Sequence, residues 1–122
     1  MVVTKTIKDL IKSAALAEFD SMTHIGFGTG TTTPSENDSD LTTPVIRVAL
    51  DETPIKSESS GTYDFSALLG LTEGNGNTLA ETGLFSAVSG GTMSLKDLLS
   101  VTVAKTASIE LSIGLRVNVN VS

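Results

Sequence analysis

At 122 residues and 12.6 kDa the chain has the length of one domain, and can bury roughly two-thirds of the surface its unfolded form exposes. Fourteen acidic residues against eight basic ones leave a net charge of -6 and a pI near 4.5, opposite to the electrostatic footprint of a nucleic-acid binder. The absence of cysteine excludes disulfides and thiolate metal sites, and no stretch approaches the roughly 18 apolar residues of a membrane span.

The first segment, "MVVTKTIKDLIKSAALAEF", is interrupted by Lys5, Lys8 and Lys12, so it holds no continuous signal-peptide core. Its apolar residues Ile7, Leu10, Ile11, Ala14 and Leu16 or Phe19 approximate one helical stripe, which predicts a helix within residues 1–20. Thr4 or Thr6 could cap it. A helix this short is marginal alone, so its stripe must cover a sheet of its own chain or meet a neighbouring subunit. At "MTHIGFG" the period changes to two, with Ile25 and Phe27 on one face and His24 on the other. The polar run from Thr31 to Thr43 reads as a surface loop punctuated by Pro34, Asn37 and Asp38.

"PVIRVALDETPI" returns to strand character, with Pro44 at a strand start and Pro54 at a break or edge. In "GTYDFSALLGL" the residues Tyr63, Phe65, Ala67 and Leu69 share one face. Asn75-Gly76 is the strongest turn signal and predicts a hairpin with a strand on either side. "LAETGLFSAV", the turn "SGGT" and "MSLKDLLSVTVAKT" follow. From Ile109 to Val121 apolar and polar residues alternate without a fault, predicting a strand of about 45 Å at the centre of the core that must bend, change sheets or extend beyond the domain into an assembly, with Gly114 the natural place for a bend or bulge. The expected architecture is a single mainly β domain over 1–122, an antiparallel β-sandwich of residues 21–122 with an N-terminal α-helix.

Little here carries chemistry. The alternating Gly26, Gly28 and Gly30 lack the third glycine of a dinucleotide fingerprint, and no Gly-Lys-Ser/Thr completes a phosphate loop. Those glycines and Pro34 are read as a strand passing close to a neighbour and then turning. His24, the only histidine, has no nucleophile elbow to serve, so no enzyme and no cofactor are expected. Glu36, Asp38 and Asp40 are weak candidates for a cation, without the glycine and distal glutamate of an EF-hand loop. Glu81 interrupts an apolar strand and, if buried, needs a partner; Arg47 and Arg116 are the available arginines.

The order of these segments resembles the N-terminal domain of tail-collar and tail-fibre proteins of tailed viruses. The residues that carry it are the glycine-threonine turn from Gly28 to Pro34, Leu41, Arg47, Glu81 to Phe85, Gly90 with Gly91, Lys105, and the alternating strand from Ile109 to Val121. "TPVIR" stands where the family has a more acidic run, and no fibre shaft follows within this sequence. The resemblance implies a non-enzymatic virion structural protein of the tail, baseplate or fibre attachment. Its partners would be other virion proteins and further copies of itself, a homotrimer foremost. Ile7, Leu10, Ile11, Val117, Val119 and Val121 would make the contacts between subunits. A capsid decoration or turret protein is the alternative within the virion, and a carbohydrate- or cation-binding module using the 31–40 loop is the alternative outside it.

Overall fold

A computed structural model describes residues 4–119. The helix α1 (Lys5–Ala17) precedes seven strands: β1 (His24–Gly28), β2 (Pro44–Ala49), β3 (Ile55–Ser57), β4 (Thr62–Leu69), β5 (Thr78–Phe85), β6 (Met93–Ala104) and β7 (Leu111–Asn118). The strands form two antiparallel sheets, a four-stranded one in the order β2-β1-β5-β6 and a three-stranded one in the order β3-β4-β7. The fold is therefore an antiparallel β-sandwich with an N-terminal helix, as the patterning predicts.

Alternation explains the core. Ile25 and Phe27 of β1, Val48 of β2, Leu79 and Leu84 of β5, and Tyr63, Phe65, Ala67 and Leu69 of β4 are buried in one cluster. Tyr63 and Phe65 stack at 4.6 Å between ring centroids, and Phe19, just beyond the helix, closes on Phe65 at 6.5 Å. Pro44 opens β2 and Pro54 stands between β2 and β3, where a missing amide costs no ladder bond.

Two predicted features take a different form. Asn75-Gly76 lies between β4 and β5, but these strands belong to different sheets, so the turn crosses the sandwich and closes no hairpin. Its positive φ angles fall on Gly74 and Gly76, not on Asn75. Beside it runs the end of β6: the Gly76 amide donates to the Lys105 carbonyl at 2.9 Å, and the Lys105 amide to the Asn77 carbonyl at 2.8 Å. The "SGGT" turn does close a hairpin, joining β5 to β6.

The last strand is also shorter than its alternation suggests. β7 spans eight residues and pairs in regular register with β4 alone, with no bulge or bend at Gly114. Val119 continues with one bond to the Gly61 carbonyl, and Val121 lies outside the described residues. Being an edge strand, β7 leaves Leu111, Ile113, Leu115 and Val117 half-buried. The central position belongs to β5, buried from Leu79 to Phe85 because both of its faces are covered.

The helix begins at Lys5, with Thr4 at its cap position making no side-chain cap bond. It docks by its C-terminal end: Leu16 is fully buried, and Lys12 reaches the Ser59 carbonyl at 3.4 Å. The stripe residues Ile7, Leu10 and Ile11 stay 48%, 60% and 45% exposed.

Candidate functional site

The outer face of the four-stranded sheet is the most elaborated part of the molecule. On β1, Gly26 and Gly28 stand opposite Gly83 and Glu81 of β5, so this face has almost no side chains of its own in the middle. The loop 29–43 folds over it. Its base is closed by the Thr29 amide donating to the Thr43 carbonyl at 3.0 Å, and Leu41 is buried against the bare backbone at Gly26 and Gly83.

Glu81 holds that loop. The carboxylate is fully buried and accepts three backbone amides: Gly30 at 2.9 Å and Thr43 at 2.8 Å on Oε2, and Thr42 at 2.9 Å on Oε1. A charged acceptor with several amide donors is a strong arrangement, and here it ties both ends of the loop to the central strand. The pairing of Glu81 with Arg47 or Arg116 is thereby corrected: its partners are amides, a possibility that a search restricted to oppositely charged side chains misses.

The glycines follow from the same group. A Cβ on Gly28 would lie 2.5 Å from Glu81 Oε2 and 2.6 Å from the Thr43 carbonyl oxygen, and one on Gly30 would lie 2.5 Å from Glu81 Oε2. At Gly28 and Gly30 the expected close approach is thus that of backbone to a carboxylate, whereas a Cβ on Gly26 would meet the Phe85 ring at 2.5 Å. Pro34, exposed to an intermediate degree, lies farther along the loop.

Arg47 instead stacks on the Phe85 ring, 3.6 Å from its centroid, and donates to the Ala87 and Gly90 carbonyls at 2.9 and 2.7 Å. Asp40 stands 3.7 Å from it. Arg116 forms a two-pronged pair with Asp64 across β7 and β4, at 2.7 and 3.0 Å, which holds the Asp64 carboxyl below its usual range.

The acidic loop residues do not converge. Asp38 accepts the Ser35 amide and the Lys96 ammonium, both at 2.9 Å, and these donors, the amide foremost, lower its pKa. Asp40 accepts the Leu41 amide, and Glu36 stays exposed. Among the described residues no three carboxylate or histidine groups gather as metal ligands. His24 shares a 2.7 Å hydrogen bond with its neighbour Thr23.

There are three further polar anchors, of which sequence reasoning singles out only Lys105, through the resemblance and without a partner. Lys96 is half-buried, its side chain only 6% exposed, and its ammonium donates to Asp38 and Thr42. Lys105, fully buried, donates to Asn75 Oδ1 at 2.8 Å and to the Thr106 carbonyl at 3.0 Å, clamping the crossing turn. Asp20 accepts the Tyr63 hydroxyl at 2.8 Å and Lys56 at 3.3 Å. Burial, with Asp20 second, pushes the Tyr63 hydroxyl up to about 12. For Lys96 the only signal in the sequence is a lysine set among apolar strand residues.

Outside these latches lie apolar surfaces. Besides the helix stripe, Val101 on β6 is 73% exposed and Ile55 on β3 is 63% exposed. β6 and β7 each end their sheet, so one side of each ladder is unpaired among the described strands. No helix among the described residues is long and apolar enough to cross a membrane. A scan against models of protein families finds no match to the chain, and a search of curated proteins finds no relative.

Proposed function

We propose that the chain is a non-enzymatic structural component of a tailed-virus particle, at the tail, baseplate or fibre attachment, acting through assembly into a homo-oligomer, with a trimer favoured. The observation that carries this reading is apolar surface placed on elements suited to docking. The helix holds its stripe outward on a short buried anchor, and the 12-residue β6, whose register with β5 breaks between Leu98 and Val103, presents an open edge with Val101 exposed on it. The residues that carry the resemblance to tail-collar and tail-fibre domains also lend support. Gly28, Gly30, Leu41, Arg47, Glu81, Gly83, Phe85 and Gly90 all belong to the latched outer face and its flank, a joint requirement of one fold.

Light scattering coupled to size exclusion tests the reading together with protein counting in purified particles. An oligomer present at a few to a few tens of copies per particle is the expected result, and hundreds of copies would assign the chain to capsid decoration instead. A monomer at high concentration that is absent from particles would overturn the proposal.

A further inference from the structure

Gly114 has no reason in the fold to be glycine. Its φ is not positive, β7 runs straight through it, and an added Cβ would come no closer than 3.9 Å to the Phe65 carbonyl oxygen. A mid-strand glycine without bulge, bend or crowding marks a place where something else approaches the backbone. Above it, on the outer face of the three-stranded sheet, is a depression of about 190 Å³. It is lined by Glu52, Thr53, Ile55 and Ser66 together with the Asp64–Arg116 pair. An enclosed space of about 150 Å³ already takes a benzene ring, so the depression has room for one large aliphatic side chain.

The charges around it are mostly negative. Glu52, Asp64 and the adjacent Asp51, whose carboxylate with that of Glu52 accepts the Ser66 hydroxyl, outweigh Arg116 by two. The helix is the complementary piece. It carries Lys5, Lys8 and Lys12 against Asp9, a net +2 in a chain of net -6, so the rest of the chain bears -8. Within one turn of those lysines it exposes Ile7, Leu10 and Ile11, of which Leu10 is the most exposed.

We infer that the depression over Gly114 receives the exposed stripe of α1 from a second copy of the chain, with Leu10 seated above the glycine and the helix lysines against Asp51 and Glu52. This rests on the assembly reading and gives it a geometry. The two surfaces differ, so the contact is heterologous; repeated through a rotation that closes, it builds a ring, and the trimer of the assembly reading is one such ring.

Four variants test it by light scattering across concentration, with circular dichroism to monitor folding. Gly114→Val fills the depression in a strand that suits β-branched residues, and Leu10→Glu changes a solvent-facing helix position; both are expected to stay folded. Each should raise the dissociation constant of the oligomer about thirtyfold or more, the level of a central interface residue. Lys8→Glu and Glu52→Lys should each weaken the oligomer, and their combination should restore part of the loss. Added salt should weaken the wild-type contact. If the wild type assembles and neither Gly114→Val nor Leu10→Glu changes the constant, the helix-to-sheet contact is refuted while assembly by another surface stands. A wild type that is monomeric throughout refutes this contact and self-assembly together.

Discussion

Replacing Glu81 by alanine puts the latch under direct test. The substitution leaves three amides where one carboxylate was, at Gly30, Thr42 and Thr43. Gly30 is buried, so its amide finds no water and the loss costs roughly 1–3 kcal/mol. Thr42 and Thr43 belong to exposed residues and can turn to solvent, losing about 0.5–1 kcal/mol each. Removal of the buried side-chain stem adds a cavity of its own. The total is about 3–5 kcal/mol, a large part of the roughly 6–18 kcal/mol expected for a chain of this length. Deleting the charge recovers some desolvation, but the donors remain behind unpaired, so the balance stays unfavourable. Glu81→Gln should cost about half as much. An amide oxygen placed at the Oε2 position still accepts Gly30 and Thr43, while the amide nitrogen opposes the Thr42 N–H. Urea unfolding followed by circular dichroism should show the alanine midpoint lowered by about 2 M at a typical slope. Amide exchange should accelerate first at residues 30, 42 and 43. An alanine variant within about 0.5 kcal/mol of wild type, with those amides still protected, would refute the latch.

Tyr63 is the only tyrosine, so ultraviolet titration reads it directly: its ionisation should centre near 12 in the folded protein. Because the folded value is raised, the stabilisation is complete below the ordinary value of 10.0 and is lost as pH rises through about 12, a dependence that Tyr63→Phe should remove. Asp38 has the opposite sign. Its lowered pKa means that its contribution is present above the ordinary 3.8 and is lost as pH falls through the folded value, and Asp38→Asn should flatten that part of the acid unfolding curve. Leu16→Ala should destabilise by about 2–4 kcal/mol and expose the helix to proteolysis. Ile7→Ala, at an exposed position, should change monomer stability by less than about 0.5 kcal/mol.

Much of the sandwich was legible because its strands alternate. Tyr63, Phe65, Ala67 and Leu69 share the buried face that their spacing predicts, and the prolines stand at strand boundaries. Pairing was not legible in the same way. Asn75-Gly76 has the chemistry of a hairpin turn, yet whether flanking strands pair or part depends on which sheet each joins, a decision made by contacts far apart in the chain. The fault-free alternation after Ile109 overstates the strand's place for a related reason. Alternation reports two unlike faces, and an edge strand with a half-buried face satisfies it as well as a central one. β5 does not announce its central place in the sequence, because a strand covered on both sides loses alternation. Glu81 was recognisable as a buried acid needing a partner, but its partners are backbone amides, and these have no signature in residue identity.

The Glu81 latch also separates the fate of the loop from that of the sheet. Both ends of the loop are fixed to one carboxylate, at Gly30 on one side and Thr42 and Thr43 on the other, so the segment between them closes on itself. Around Glu36 and Asn37 it meets the body mainly through the Asp38 and Lys96 pair beside them. Doubling the length of such a loop costs only about 0.6 kcal/mol in closure entropy. The tip at residues 36–37 is therefore a graft point: a foreign peptide can be carried there on the outer face of the sandwich while the strands beneath keep their register.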